Sequence, residues 1–235
     1  LGLSIEASKT SANVIVFCGV CFMAETAKII SPGKTVLIPD AKAGCPMADM
    51  ITADQLRDVK EQHPGAKTMC YVNTTAAVKA ECDLCCTSAN AERIVRAAFR
   101  ESEEVIFVPD QYLATYVASR TGRKFITWKG FCPTHARILP RHIEEQKKLH
   151  PEAAVIVHPE CRPAVIELAD AALSTEGMCR YAQQSKAAEI IVGTEIGMLH
   201  RLKKENPGKK FYPATELAVC PNMKLTNLEK VAWAL

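Results

Sequence analysis

The chain has 235 residues, of which 48% are hydrophobic and 23% are charged, so a buried core is expected and a mainly disordered chain is excluded. Its 29 basic and 26 acidic residues are nearly balanced and scattered, a pattern that does not favour nucleic-acid binding. The longest apolar stretch, residues 14–24, is shorter than the roughly 20 residues that a membrane-spanning helix needs.

The 11 cysteines are an odd number, so a full disulfide scheme would leave one thiol unpaired. Disulfide frameworks are typical of short secreted chains, whereas this chain is long and aliphatic and shows no basic and apolar signal peptide. We therefore expect a reducing, cytoplasmic setting. There the cysteines would be packing residues, metal ligands or catalytic groups.

Strand-like and helix-like segments alternate along the chain. The predicted strands are residues 14–17, 35–38, 68–72, 105–108, 124–127, 154–157, 190–192 and 210–212. The predicted helices are residues 22–30, 89–100, 111–119, 163–172 and 195–205. Such alternation predicts an α/β fold of βαβ units, with parallel sheets and helices on their faces.

Three segments repeat one pattern: a strand, a helix, a glycine near a lysine, a second strand and a loop ending in cysteine. The loop cysteines are Cys45, Cys132 and Cys220, which are 87 and 88 residues apart. This period predicts three similar three-layer αβα domains with short parallel sheets around a pseudo-threefold axis. The expected division is 1–60, completed by the tail 225–235, then 61–140, then 141–224.

The second and third repeats share a first half that the first repeat lacks. Its equivalent of Tyr71 would fall upstream of residue 1, so we expect an N-terminal truncation and an incomplete first domain.

Three cysteines at equivalent places suggest thiolates that converge on the axis. Three thiolates can hold three irons of a four-iron cluster and leave the fourth open as a Lewis acid. Zinc with three cysteines and a fourth ligand is an alternative, and so is no metal. Cys18 and Cys21 also have the spacing of a redox dithiol. The remaining cysteines are assigned to packing, although Cys82, Cys85 and Cys86 could form half of a zinc site; the isolated ones are Cys70, Cys161 and Cys179.

Polar residues follow strands of the shared half-repeat, at the carboxyl edge where ligands of α/β proteins gather. Tyr71 and Asn73 close one strand, and His158 and Glu160 close another. His135 lies three residues after Cys132, close enough to share its site. Hydroxyl residues open the helices that follow, where they can cap the helix or bind an anion; these are Ser88, Ser174 and Thr175.

Together these residues resemble a known family, quinolinate synthase, over essentially the whole chain and in order. The most specific motifs are FCGVxFMAETAK and AGCxMADM. The matching runs are IVFCGVCFMAETAKII, VLIPDAKAGCPMADM, YVNTTAAVKA, TSANA, KGFCPTH, VHPEC, STEGM and FYPATELAVCPNMK.

The resemblance implies three homologous αβα domains, with Cys45, Cys132 and Cys220 as ligands of a [4Fe-4S] cluster. It implies condensation of iminoaspartate with dihydroxyacetone phosphate to quinolinate in NAD biosynthesis, with loss of phosphate and water. The functional partner would be an L-aspartate oxidase or aspartate dehydrogenase that supplies iminoaspartate. The implied active-site positions are Tyr71, Asn73, Ser88, His135, His158, Glu160, Ser174 and Thr175.

Among these positions we expect Glu160 to be the general acid or base, with a pKa set by burial and by His158. His158 and Tyr71 complete the catalytic set. Asn73, His135, Ser174 and Thr175 would orient phosphate and carboxylates. The family's N-terminal histidine–tyrosine motif and serine are absent from this sequence, so the chain is expected to lack part of the site. Two alternatives stay open, a non-catalytic zinc-stabilised protein and a redox protein using Cys18 and Cys21.

Overall fold

A computed structural model describes residues 1–99 and 104–235. Its helices are α1 (Gly2–Lys9), α2 (Cys21–Ile30), α3 (Ala53–Gln62), α4 (Ala76–Ala80), α5 (Ala91–Ala98), α6 (Gln111–Thr121), α7 (Pro133–Ala136), α8 (Pro140–Leu149), α9 (Pro163–Ile166), α10 (Thr175–Gln184), α11 (Met198–Glu205) and α12 (Leu228–Ala234). Its strands are β1 (Val14–Val16), β2 (Thr35–Leu37), β3 (Lys67–Tyr71), β4 (Leu84–Cys86), β5 (Val105–Val108), β6 (Ile126–Thr127), β7 (Ala154–Val157), β8 (Ala171–Ala172), β9 (Glu189–Gly193) and β10 (Lys210–Pro213).

The strands form three sheets, and every pair of neighbouring strands is parallel. The first sheet contains β1 and β2 alone, the second has the order β4-β3-β5-β6, and the third has the order β10-β9-β7-β8. The predicted α/β class with short parallel sheets is confirmed. The pair β1-β2 corresponds to β5-β6 and to β9-β10, the strands that lead into the three cysteine loops.

The second sheet is covered on both faces, because alternate residues of a strand point to opposite sides. Met69 and Phe107 pack with Val95 of α5 and Leu113 of α6. On the other face, Cys70, Ile106 and Val108 pack with Leu56 of α3 and Val78 of α4. The result is one three-layer αβα unit.

The third sheet has the same arrangement. Val155 of β7 packs with Ile143 of α8 on one face. Ile156 packs with Met178 of α10 and Leu202 of α11 on the other. At the small first sheet, Ile15 of β1 packs with Ala27 of α2 and Ala7 of α1.

One hydrogen bond recurs at the same place in all three repeats. The amide of Cys21 donates to the carbonyl of Ala43 at 2.8 Å. The equivalent bonds, both 2.9 Å long, run from Gln111 to Gly130 and from Ile196 to Ala218. Each acceptor lies two residues before a loop cysteine. The same bond therefore holds each cysteine loop beside the segment that follows β1, β5 or β9.

The bounds of several predicted elements differ from the structure: the helix expected over 195–205 begins at Met198, the strand expected over 124–127 is Ile126–Thr127, and two further helices differ as follows. The helix expected over residues 163–172 ends at Ile166, and residues 171–172 form strand β8. A strand of two residues is too short to show the two-residue period that identifies strands. The helix expected over 89–100 is observed as Ala91–Ala98, and its predicted end, Arg100, lies outside the described residues.

Within the two described ranges, no helix is both long and apolar enough to cross a bilayer.

Candidate active site

The candidate site lies between the second and third sheets. Tyr71 is the last residue of β3, and His158 and Glu160 follow β7. His135 lies in the short helix α7, directly after the Cys132 loop. Carboxyl ends of parallel strands from two repeats thus supply one cluster of polar side chains.

Glu160 is at the centre of this cluster and is only 3% exposed. The Tyr71 hydroxyl donates a 2.6 Å hydrogen bond to its Oε1. His135 Nδ1 lies 2.8 Å from its Oε2. Both oxygens of the buried carboxylate are therefore paired, as a buried charge requires.

These partners decide the protonation of Glu160. Burial alone would raise its pKa, but the charges that His135 and His158 carry when protonated, with the hydrogen bonds from His135 and Tyr71, hold the pKa well below its ordinary value. Burial raises the pKa of Tyr71 well above its ordinary value, and the Glu160 charge adds to that shift. The pair is therefore an ionised carboxylate beside a protonated phenol.

His158 is neutral at physiological pH, because burial lowers its pKa to about 4. Its Nδ1 accepts the Glu160 backbone N–H at 3.3 Å, which leaves the ring proton on Nε2. That Nε2 faces the Ser88 hydroxyl at 3.3 Å. The His158 ring stacks on that of His135, with centroids 4.8 Å apart.

Thr194 is a site residue that sequence patterns did not indicate. Its Oγ1 lies 2.8 Å from His135 Nε2, so the opposite nitrogen is directed at Glu160. Thr194 directly follows β9, and its position at a strand end was the available signal.

Asp110 was also missed from the sequence, although it follows β5 in the same way. Its Oδ1 accepts the backbone N–H groups of Tyr112 and Leu113 and so caps α6. Its Oδ2 is buried without a partner among the described residues. Burial, with the Glu160 charge as a second cause, raises the Asp110 pKa well above its ordinary value.

The three loop cysteines have similar surroundings. Each is half-buried and is followed by proline, a shared feature that adds to the equal spacing. A short helical turn follows each one: residues Ala48–Met50, Pro133–Ala136 and Met223–Leu225. Backbone N–H groups near two of the thiols act to lower their pKa, those of Ala48 and Met47 at Cys45 and those of His135 and Thr134 at Cys132.

The thiols also influence one another. Burial raises the pKa of Cys45 to about 11, and the charges of Glu160 and Cys220 add to the shift. Burial raises the pKa of Cys132 further, with contributions from Glu160 and Cys45. Cys45 is thus close to both other cysteines, and Cys45 and Cys132, from different repeats, both lie near Glu160. This donor set, with N–H groups directed at sulfur, fits a group that binds three thiolates.

A second donor set overlaps the first. Ligand atoms of Cys132, His135 and Glu160 all lie within 4.8 Å of one another, and His135 Nδ1 is 3.1 Å from Cys132 Sγ. One thiolate, one imidazole and one carboxylate can bind zinc. The zinc alternative from the sequence therefore has a defined set of atoms.

Three expected substrate-binding residues lie outside these contacts. Asn73 is half-buried in the turn after β3. Ser174 caps α10 by accepting the Gly177 N–H at 3.2 Å, and Thr175 is exposed. Among the described residues, no hydrogen bond or ion pair joins these three to the Glu160 cluster.

The Cys18–Cys21 pair does not resemble a reactive dithiol. The Cys18 thiol is exposed and directed at the Val16 carbonyl, and the Cys21 thiol is directed at the Ala41 carbonyl. Burial raises the pKa of Cys21, followed by the charges of Glu25 and Asp49. The two thiols are therefore directed at different carbonyls rather than at each other.

Comparison with known proteins identifies relatives over the whole chain. The family profile described as "Quinolinate synthetase A protein" matches residues 1–235. A protein of Dehalococcoides mccartyi named quinolinate synthase is 57% identical over 235 residues. Relatives with the same name from Methanosarcina barkeri and a Geobacter species are 56% and 53% identical. In each case the alignment covers 100% of this chain and 77% of the relative.

Proposed function

The chain belongs to the quinolinate synthase family, and on that premise we propose which of its residues hold a metal group and which act on substrate. The protein is an enzyme of NAD biosynthesis. Its proposed reaction forms quinolinate from iminoaspartate and dihydroxyacetone phosphate, with loss of phosphate and water. The family is metal-dependent and acts on small molecules.

Cys45, Cys132 and Cys220 are the proposed ligands of a [4Fe-4S] cluster. Support comes from their equivalent loops, their electrostatic coupling and the N–H groups directed at two of them. When bound through three thiolates, such a cluster supplies one open iron with Lewis acidity. The Cys132, His135 and Glu160 set is the competing arrangement, with zinc in place of iron.

Glu160 is the proposed general base. It is ionised and buried, and both oxygens are held by neighbours, so its position is fixed before substrate enters. Tyr71 holds a proton 2.6 Å from that carboxylate. The pair can therefore accept a proton at Glu160 and supply one from the phenol as bonds to hydrogen break and form.

The histidines are proposed to bind the substrate's charges and to position Glu160. His135 presents Nδ1 to the carboxylate while Thr194 fixes its other nitrogen. His158 stays neutral and directs Nε2–H toward Ser88, so it can donate a hydrogen bond without adding charge. Asn73, Ser174 and Thr175 are proposed as phosphate and carboxylate ligands, on the family motifs they occupy.

Domain division is also a proposal. The three sheets support three repeats, and the ion pair between Lys230 of α12 and Asp40 supports assigning the tail 225–235 to the first. Helix α3 packs on the second sheet through Leu56, so we place the first boundary ahead of α3 rather than at residue 60. The proposed supplier of iminoaspartate is an L-aspartate oxidase or aspartate dehydrogenase, and the proposed location is the cytoplasm.

The observation that best supports this assignment is the buried Tyr71–Glu160–His135 contact between two repeats, next to Cys132. The test is quinolinate formation by protein purified anaerobically from its natural gene. Iminoaspartate and dihydroxyacetone phosphate should together yield quinolinate, and either substrate alone should not. Iron-loaded protein that forms no quinolinate from both would contradict the proposal.

A further inference from the structure

A second group of cysteines lies on the second sheet, on the face opposite Tyr71. Cys70 of β3 and Cys85 of β4 are direct neighbours in the parallel register. Cys82 lies in the turn that precedes β4 and packs against the cluster containing Cys70. The Cys70 thiol is close enough to both other thiols for each to shift its pKa, while the Cys82 thiol donates a 3.1 Å hydrogen bond to the Val78 carbonyl.

This arrangement is rigid. The Asp83 backbone N–H donates to the Thr68 carbonyl at 3.0 Å, and the Thr68 N–H donates to Asp83 Oδ2 at 2.8 Å. These two bonds hold the turn between Cys82 and Cys85 against β3. The backbone that carries the three thiols is therefore held in place by hydrogen bonds.

The three thiols are not arranged as a metal site. In the part of the chain that the structure describes, the only metal-ligating group with all atoms within 4.8 Å is Cys132, His135 and Glu160. Cys70 lies next to both Cys82 and Cys85, and this arrangement favours a disulfide between Cys70 and one of them. Neighbouring strands are about 4.8 Å apart, within the roughly 4.4–6.8 Å Cα separation that disulfides accept.

We propose that Cys70, Cys82 and Cys85 form a thiol–disulfide site in which Cys70 pairs reversibly with one of its two neighbours. The co-reactant is a small disulfide such as oxidised glutathione. Cys85 is exposed and can be reached by such a molecule, whereas Cys70 is fully buried. The exposure of Cys82 is intermediate between that of Cys85 and that of Cys70.

The exchange proceeds in two balanced steps. The Cys85 thiol loses its proton to solvent, attacks one sulfur of glutathione disulfide and releases a glutathione thiolate. Cys70 then loses its proton and attacks the mixed disulfide at Cys85, which releases the second glutathione thiolate. The protein loses two electrons and two protons, and the small disulfide gains them. If Cys82 forms the mixed disulfide first, the same two steps join it to Cys70.

The surroundings raise the pKa of these thiols. Contact with Cys82, together with burial, raises the pKa of Cys70 to about 12, and contact with Cys70, together with burial, raises that of Cys85 further. The nearby Lys79 ammonium opposes part of this rise at both thiols. An adjacent ammonium is one of the usual devices that favour a thiolate.

A bridge between these thiols would join strands that end at the candidate active site. Cys70 directly precedes Tyr71, and β4 ends at Cys86, two residues before Ser88. A Cys70–Cys85 bond therefore ties together the two strands that position the Tyr71 phenol and the Ser88 hydroxyl. Only this link to turnover rests on the proposed function, since the chemistry of the thiols does not require it.

The test is peptide mapping of the metal-loaded protein after anaerobic incubation with glutathione disulfide. Free thiols are alkylated in denaturant after acid quenching, and the protein is digested with trypsin. Cleavage after Lys67, Lys79 and Arg93 places Cys70 on peptide 68–79 and Cys82, Cys85 and Cys86 on peptide 80–93, so fragmentation of the cross-linked peptide identifies the partner of Cys70. The expected product is a cross-link between these two peptides that a dithiol reductant reverses, with iron content unchanged.

A bridge within peptide 80–93, with Cys70 still alkylated, would overturn the proposal. The proposal would also be overturned if Cys70, Cys82 and Cys85 were all alkylated after incubation at a ratio of oxidised to reduced glutathione that oxidises a free dithiol. Cys70→Ser should abolish the cross-link, while Cys18→Ser, which removes an exposed thiol outside the cluster, should leave it intact. If Cys70→Ser fails to fold, peptide mapping of the natural protein still tests the proposed disulfide. Because peptide mapping does not measure turnover, a negative result is distinct from a failure of the proposed function.

Discussion

The Tyr71 hydroxyl donates a 2.6 Å hydrogen bond to Glu160 Oε1 across 89 residues of sequence, joining the second repeat to the third. A hydrogen bond to a charged group contributes about 1.5–3 kcal/mol. The contact fixes the carboxylate and keeps a proton beside it. Both groups are buried, so the contact depends on how the two repeats pack.

Glu160→Gln should nearly abolish quinolinate formation and leave iron and sulfide bound. The amide keeps the side-chain shape but cannot accept a proton as the carboxylate does, which predicts a loss of about 10²–10⁴-fold in turnover. Turnover and iron content are measured on the same samples. Glu144→Gln, on the exposed face of α8, is the matched control and should change neither. Normal turnover in Glu160→Gln would remove Glu160 from its proposed role.

Tyr71→Phe should reduce turnover by about 10- to 100-fold, the equivalent of one hydrogen bond to a charged group. Because the Tyr71 bond lowers the pKa of Glu160, its removal should also raise the apparent pKa of the acidic limb of the turnover profile. The measurement is turnover against pH. Tyr116→Phe is the control, since that hydroxyl donates to the Ala172 carbonyl and, among the described residues, makes no hydrogen bond to the Glu160 cluster. An unchanged acidic limb in Tyr71→Phe would contradict the assigned pairing.

Thr194→Val should lower kcat/KM by about tenfold without loss of iron. The substitution removes the hydrogen-bond partner of His135 Nε2 and keeps the shape of the side chain. Since Thr194 acts through His135, the informative readout is the split between kcat and KM. We expect kcat to fall more than KM rises. Thr115→Val, exposed on α6, should behave as the natural protein does. Loss of iron in Thr194→Val would assign it to metal binding instead.

His158 should make the folded state less stable as pH falls. Its pKa is near 6.5 when unfolded and about 4 when folded, so the unfolded chain alone binds a proton between these values. The stability contributed at neutral pH, up to about 3 kcal/mol, is lost progressively below about pH 6.5. The pKa of Glu160 is also lowered by folding, so its effect has the same sign but begins only below its ordinary value near 4.5.

Unfolding midpoints are measured anaerobically at about pH 7 and about pH 5, and Glu160 stays ionised in both states over most of that range. The raised pKa of Asp110 acts with the opposite sign and is common to both proteins, so the comparison with His158→Gln isolates the histidine. The natural protein should lose more stability over that range than His158→Gln does. Equal losses would show that His158 is not held neutral by burial.

Strand ends were the part of the site that sequence patterns could identify. Tyr71, His158 and Glu160 each follow an apolar run, and the carboxyl ends of parallel strands share an edge. Thr194 was not found, because a lone threonine after a strand is ordinary until the sheet order places it beside His135. The contact of Cys70 with Cys85 depends on the β3–β4 register, and β4 is only three residues long. The sequence favoured packing for both cysteines for that reason.

The spacing of the loop cysteines predicted repeats, but spacing alone does not distinguish iron from zinc. The recurring hydrogen bonds from Cys21, Gln111 and Ile196 show that the three loops are built alike. The overlap of Cys132 with His135 and Glu160 shows why zinc still competes. Ligand chemistry therefore has to be decided on the purified protein.

Iron and acid-labile sulfide analysis of anaerobically purified protein distinguishes a three-cysteine cluster from a zinc site. We expect about four irons and four sulfides per chain, with loss of both in Cys45→Ser, Cys132→Ser and Cys220→Ser and retention in Cys18→Ser. About one zinc and no sulfide per chain, retained in Cys45→Ser and Cys220→Ser, would contradict it and assign the metal to Cys132, His135 and Glu160.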